Sequence, residues 1–298
     1  MKALVVGAGG FVGRYLMKEL ISRGHDTVGI DRQVSDGIHA VDILNFDQLK
    51  TFIGSANADV VFHLAASAFV NTDKVDSFYS INILGTLNVV RSCLNLQKKP
   101  WFIYISSSLV YGSGDRPFSE ESALQSINHY AASKIAAEAI VQAFTNDNKL
   151  DSVILRPFNH TGVGQAEIYL IPKLVRAFRD RKPDIPMGNM DVVRDFLDVR
   201  DVVSAYASAI DSLSAVRPGE VYNICSGKEY TIRWILDTLS DITGHAPRIE
   251  QKSEFIRSND INRSIGINKK FSKTFKWKPQ FDFADTLKWM LGKNSSSN

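Results

Sequence analysis

Cysteine is scarce in this chain. Its 298 residues hold two, Cys93 and Cys225, far apart and without the spacing of metal ligands. Reduced, buried structural thiols are the expected reading. Long apolar runs are missing as well. No stretch reaches the roughly 18 consecutive apolar residues that a membrane span requires. The apolar run behind Met1-Lys2 meets Gly7 too soon to serve as a signal peptide, so a soluble cytoplasmic protein is expected. Nor is charge of one sign in excess. Thirty-five Lys and Arg stand against 32 Asp and Glu, a formal net charge of +3. With neither a basic stripe nor an acidic tail, nucleic acid and lipid surfaces are excluded as expected partners. The length suits one large domain or two smaller ones.

What is present is ordered. Ala3-Leu4-Val5-Val6 reads as a strand buried on both faces of a parallel sheet. It runs into glycines at 7, 10 and 13, and a helical pattern follows, with Val12, Leu16 and Leu20 on one face and Gly24 placed to end it. In G-x-x-G-x-x-G, Gly7 permits a tight turn and Gly10 lets backbone approach a pyrophosphate. Gly13 lets helix pack on strand, and the helix N-terminus at Phe11 and Val12 faces the phosphates. Thr27-Val28-Gly29-Ile30-Asp31 is a second strand ending in a carboxylate at the distance expected of a ribose ligand. Asp31 favours NADH, while Arg32 beside it could pair with a 2′-phosphate and leaves NADPH open. Asp42, before Ile43, is read either as an adenine contact or as a helix cap before Phe46.

Asp59 to Ala66 is another buried strand, closing on Leu64-Ala65-Ala66, small enough at its end to leave room for a cofactor. His63 within it is read as structural. Ser77 to Leu96 is expected to form one long helix, and Trp101 to Ile105 a further strand leading into Ser106-Ser107-Ser108. The alternation βαβαβαβ argues for an α/β fold, a Rossmann-type doubly wound parallel sheet.

Tyr130-x-x-x-Lys134 opens an Ala-rich, helix-forming segment. Residues four apart share a helix face. The ammonium is therefore expected to pull the phenol below its ordinary value near ~10. With the serines upstream, this is machinery for moving a proton to or from an alcohol oxygen.

The glycine loop, Asp31, Leu64-Ala65-Ala66, Ser106-Ser107-Ser108-Leu109-Val110-Tyr111-Gly112 and Tyr130-x-x-x-Lys134 occur in this order at family spacing. Together they resemble the extended short-chain dehydrogenase/reductases that act on nucleotide sugars, the NAD-dependent epimerase/dehydratase family, over nearly the whole chain. The resemblance implies that Ser107 assists catalysis, that Tyr130 is the acid/base, and that Lys134 binds the nicotinamide ribose. It also implies a homodimer formed through helices that include the Tyr130 helix.

Arg156-Pro157-Phe158-Asn159-His160-Thr161-Gly162 and Gly219-Glu220-Val221-Tyr222-Asn223-Ile224-Cys225-Ser226-Gly227 look like segments of reductases handling GDP-linked 4-keto-6-deoxy sugars. In related dehydratases a carboxylate stands two residues before the serine-strand tyrosine, and in a related epimerising enzyme a cysteine. Here Leu109 occupies that position, and Gly164 stands about where the partner histidine of the epimerising enzyme is expected. Substrate contacts are expected from Ser107, Ser108, Asn159, Lys173, Arg194 and Arg257. Arg257 sits in a segment whose usual proline is Ser258. Residues 1–165 are expected to form the NAD(P)-binding domain, with 198–225 returning to it. Residues 166–197 and 226–291 form a smaller C-terminal substrate-binding domain, and 292–298 a disordered tail.

Overall fold

The computed structural model describes residues 1–35, 37–68, 75–253 and 261–293. Arg257 and most of the expected C-terminal tail, from residue 294, lie outside the described residues.

Successive side chains of a strand point to opposite faces, and this chain is apolar on both. Strand β1 (Lys2–Val6) sends Ala3 and Val5 to one face and Leu4 and Val6 to the other. Strand β5 (Trp101–Ile105) divides likewise, Ile103 and Ile105 against Phe102 and Tyr104. A strand buried on both faces requires helices on both, and the crossovers supply them. Helix α1 (Phe11–Ser22) covers one face with Leu16 and Leu20. On the other, α2 (Phe46–Ala56) contributes Leu49 and Ile53.

The remaining strands of this sheet are β2 (Asp26–Asp31), β3 (Ile38–Ala40), β4 (Val60–His63), β6 (Ser152–Pro157) and β11 (Glu220–Ile224). Seven strands pair in the order β11-β6-β5-β4-β1-β2-β3, every pair parallel. The order reverses at β1, between β4 and β2. That crevice beyond the carboxyl ends of the strands is where such sheets take ligands.

One expected element divides. The stretch from Ser77 to Leu96 is a short α3 (Val75–Tyr79), a π-helical turn (Ser80–Gly85) and α4 (Thr86–Leu94). Two local demands account for the turn. Asn82 pairs with Ser67 through both backbone groups, at 2.8 and 3.1 Å, and donates to the Ser133 hydroxyl at 2.8 Å. Gly85 lies against Ile43, whose methyl would stand 2.5 Å from any Cβ placed there. A π turn inside a helix commonly marks a functional site.

Beyond the large sheet, a separate apolar cluster joins α6 (Leu170–Arg179), α8 (Ile232–Thr243) and α10 (Phe283–Met290) through Leu174, Phe178, Ile235, Leu239 and Leu287. Helix α10 is capped by Asp282, whose carboxylate accepts from the Ala284 amide. Helix α7 (Val199–Asp211) packs on the face that α1 covers, through Val202 and Tyr206. Among the described residues no helix is long and apolar enough to cross a membrane.

Asp195 joins these parts. It lies between β9 (Val193–Arg194) and β10 (Phe196–Asp198) with no solvent exposure. One carboxylate oxygen accepts from the Ser226 amide at 2.8 Å and its hydroxyl at 2.7 Å. The other accepts from the amides of Gly227 at 2.8 Å and Gly266 at 3.4 Å. Asparagine there would turn an N–H toward N–H donors. Asp195→Asn is expected to destabilise the fold by about 2–3 kcal/mol in urea unfolding, the cost of stranded buried donors. A change below about 0.5 kcal/mol, the range of ordinary surface substitutions, would contradict this role.

Candidate active site

The loop between β1 and α1 is held at distances that only hydrogen side chains allow. Gly7 has φ +92°, and a Cβ on it would come within 2.6 Å of the Ala65 nitrogen. A Cβ on Gly13 would meet the Gly7 carbonyl at 2.2 Å. Gly10 differs, because a Cβ there would meet the Gly7 carbonyl alone, at 3.3 Å, so its outer side is open. It precedes α1 with no side-chain cap, and the first turn, beginning at Phe11 and Val12, carries no acid. The N–H groups there are left for an anion. Asp31 is pinned to the same loop. Its carboxylate accepts from the Gly9 amide at 3.0 Å and the Arg32 amide at 2.7 Å, while the Arg32 side chain is exposed.

Leu64 and Ala65 close the opposite side, their amides on the Val6 carbonyl at 2.8 and 2.9 Å, and Ala66 follows half-buried. Asp42 is not the cap of α2. It accepts from the Leu44 amide at 2.9 Å, and Asn45 caps the helix. Ile43 is buried against Gly85. This cradle, open at Gly10 and closed elsewhere, fits a dinucleotide.

Helix α5 (His129–Asn146), capped by Asn128, carries Tyr130 and Lys134. A 3-10 turn (Ser108–Tyr111) follows β5, and its capping residue Ser107 keeps an extended backbone, φ −159°. Ser107 lies close enough to the Tyr130 phenol to act on it, and Phe78 stands edge-on to the Tyr130 ring at 6.0 Å. Ser107 and Tyr130 are brought together, and Lys134 stands one turn further along the same helix.

The expected influence of Lys134 on the phenol is corrected. Burial pushes Tyr130 up to about 12; Ser107 pulls it down, and the Tyr169 phenol pushes it further up. Lys134 is not among the groups that act on it, for a geometric reason. Its ammonium runs to the end of β5, donating to the Ile105 carbonyl at 2.5 Å and standing 4.4 Å from the Tyr104 ring centre. Burial in turn draws Lys134 down to about 7, against the pull of Glu138.

The other expected residues are more dispersed. Ser108 is buried in the 3-10 turn. Asn159, in the short strand β7 (Asn159–Thr161), donates to the Asp195 carbonyl at 3.1 Å. Arg194 is half-buried and donates to the Val193 carbonyl at 3.0 Å, and Lys173 is exposed on α6. His63 is buried at the end of β4, sharing a 2.9 Å hydrogen bond with Thr86, and burial lowers it to about 3. At neutral pH it is an uncharged imidazole. Cys93, fully buried, is pushed up to about 12, a thiol and not a thiolate.

Several residues near the site were not singled out by pattern. Tyr169 precedes α6, half-buried, and its phenol acts on Tyr130. Asn82 reaches Ser133 of the α5 helix, and Glu138 and Arg156 form a buried ion pair behind Lys134. The signal for Glu138 was its position, one turn beyond Lys134 on the same helix face.

A parallel sheet with a glycine cradle at its switch point and a Ser-Tyr-Lys cluster beside it defines a dinucleotide-dependent oxidoreductase of the short-chain type. Residues 3–225 match the NAD dependent epimerase/dehydratase family. The chain is 32% identical over 271 residues to GDP-6-deoxy-D-talose 4-dehydrogenase of Aggregatibacter actinomycetemcomitans, covering 89% of this chain and 88% of that protein. It is also 32% identical over 300 residues to GDP-6-deoxy-D-mannose reductase of Pseudomonas aeruginosa, covering 97% and 96%. The solved structure of RMD from Pseudomonas aeruginosa complexed with NADPH superposes with a TM-score of 0.87 at 31% identity, over 98% of both chains. This chain belongs to the NAD dependent epimerase/dehydratase family.

With its phenol raised to about 12, Tyr130 is expected to remain protonated throughout the neutral range. Phenolate absorbance of the wild type minus that of Tyr130→Phe, followed by pH in the free protein, should show no ionisation of this residue below pH about 9. A midpoint near neutrality would show that Lys134 lowers the phenol after all.

Proposed function

We propose that this enzyme reduces the C4 ketone of GDP-4-keto-6-deoxy-D-mannose to GDP-D-rhamnose, using NAD(P)H. The cofactor would be held by the Gly7–Gly13 loop and the N–H groups of Phe11 and Val12. Asp31 and Arg32 take the adenosine ribose side, Asp42 and Ile43 the adenine, and Leu64, Ala65 and Ala66 line the mouth. When bound, the reduced nicotinamide supplies a hydride to C4. Tyr130 gives its proton to the oxygen as charge develops there, and Ser107 hydrogen-bonds the same oxygen. Stabilising that developing charge is where fixed donors act most strongly. Lys134 binds the nicotinamide ribose. A phenol protonated at neutral pH suits the reductive direction, in which the enzyme must begin as the proton donor.

One observation carries the choice of simple reduction. Beside a complete Ser107-Tyr130-Lys134 set stands Leu109, half-buried, its amide donating to the Ser107 oxygen at 3.2 Å. Its side chain cannot take a proton from carbon, so dehydration and epimerisation at neighbouring carbons lose their base. Both GDP-sugar relatives bear names consistent with C4 redox chemistry. They differ in the face attacked, because 6-deoxy-D-talose and 6-deoxy-D-mannose are C4 epimers. The talose product is therefore the second reading, decided by NMR of the product. A 4-epimerase would consume no net cofactor.

The substrate cleft is proposed to lie between residues 1–165 with 198–225 and residues 166–197 with 226–291. Ser108, Asn159, Lys173, Arg194 and Arg257 would contact the nucleotide sugar. Tyr130→Phe is expected to lower kcat by about 10²- to 10⁴-fold while dinucleotide affinity is kept, the span of a lost general acid. Wild-type turnover of the keto sugar by that variant would overturn the assignment.

A further inference from the structure

Tyr15 joins parts of the chain that lie far apart in sequence. It sits on α1 one turn beyond Phe11, and its ring stands edge-on to the Phe11 ring at 5.6 Å. Its hydroxyl donates to the Val163 carbonyl at 2.7 Å, across 148 residues. Burial and the Asp198 carboxylate raise this phenol above its ordinary value, so it stays a donor at neutral pH. The same ring meets Trp289 of α10 edge-on at 6.3 Å. Trp289 is itself backed by Arg200, whose guanidinium stands 3.9 Å from its ring centre and 3.7 Å from that of Phe281. Asp198 grips Arg200 at 2.9 and 2.7 Å, which makes Trp289 a fixed wall.

The loop that Tyr15 holds, residues 162–169, runs from β7 to α6. Its root is wedged, because a Cβ on Gly162 would meet Val199 at 2.5 Å and Trp289 at 3.1 Å. Beyond the root Val163, Gly164, Ala166, Glu167 and Ile168 are exposed, and Gly164 turns the chain with φ +87°. Gln165 and Glu167 make contacts local in sequence, Gln165 with Thr161 at 2.6 Å and His160 at 3.3 Å, Glu167 with Arg176 at 3.1 Å. Tyr15 ties the loop to a distant element. Two residues proposed above to touch the nucleotide sugar flank it, Asn159 in β7 and Lys173 in α6.

We propose that Tyr15 is a positioning residue that couples the two ligand sites, holding the loop 162–169 to the helix whose first turn receives the dinucleotide. The inference rests on the reading of the glycine loop as the cofactor cradle and of Asn159 and Lys173 as nucleotide-sugar contacts. An anion on the N–H groups of Phe11 and Val12 restrains the first turn of α1. Tyr15, packed on Phe11, is restrained with it, and so is the carbonyl it holds. The cost of ordering the loop is then met when the dinucleotide binds, and the nucleotide sugar finds its flanking contacts already placed. Coupling of this kind is reciprocal for the two ligands.

Tyr15→Phe removes the hydroxyl and keeps the ring against Phe11 and Trp289. The readout independent of turnover is the affinity for GDP, titrated with and without saturating NADH or NADPH, whichever binds more tightly. In the wild type the dinucleotide is expected to tighten GDP by about fivefold or more. In Tyr15→Phe that factor should fall toward one, and the KM of the keto sugar should rise about two- to tenfold, the span of one lost hydrogen bond. The kcat should stay within about twofold, since the contact is made before and during the reaction alike. Amide hydrogen exchange in peptides covering residues 162–169 should be slowed by dinucleotide in the wild type and not in the variant. An unchanged coupling factor and unchanged protection in Tyr15→Phe, with only thermal stability reduced, would overturn the proposal and leave the contact purely structural. So would a wild type in which dinucleotide alters neither GDP affinity nor loop exchange. No GDP binding at all, with Tyr15-dependent protection of the loop kept, would instead overturn the reading of the substrate.

Discussion

The site depends on one buried ion pair. Glu138 and Arg156, with side chains 3% and 5% exposed, tie the helix that carries Tyr130 and Lys134 to strand β6. A carboxylate and a guanidinium removed from water gain little in net stability over an apolar replacement, and breaking one half is costly. Such a pair fixes a geometry more than it adds stability. Through Tyr111 and Asn223 the same network reaches β11 and the segment behind Phe118. The serine turn, the tyrosine helix and the last strand of the sheet are therefore set relative to one another by polar contacts that exclude water.

Against that rigid back wall the front of the site is backbone. Gly7, Gly10 and Gly13 give a surface without side chains at the mouth of β1, and Asp31 closes it through the Gly9 amide. No acidic side chain stands in the first turn of α1, so the helix terminus itself would meet an anion. Cofactor and substrate oxygen would then be addressed from two directions, by amides on one side and by phenol, hydroxyl and ammonium on the other.

Much of this was legible in the sequence, because it is encoded in local spacing. Glycines three apart between a strand and a helix, and an acid at the end of the second strand, report conformations fixed within a few residues. Apolar runs marked strands covered on both faces, as β1 and β5 are. What escaped depends on contacts distant in the chain. The π turn stands where Ser67 and Ser133 meet Asn82 and Ile43 meets Gly85, and no spacing within Ser77 to Leu96 reveals that. Asp195 reads as one acid among several in Arg194 to Asp201, although four donors from two later loops meet on it. The direction of the Tyr130 shift was misjudged for a related reason. Helical spacing gave the proximity of Lys134 but neither the depth of burial nor the Ile105 carbonyl that takes up the ammonium.

The reading of function turns on Leu109, a side chain without chemistry among side chains that have it. If the site only reduces, carbon-bound hydrogens next to the ketone are left untouched. Turnover of GDP-4-keto-6-deoxy-D-mannose with NAD(P)H in D₂O, beside a control without enzyme, measures this directly. One equivalent of cofactor oxidised per sugar, with no enzyme-dependent deuterium at C3 or C5 of the product, is the predicted result. Deuterium entering at either carbon, or product formed without cofactor consumption, would contradict it.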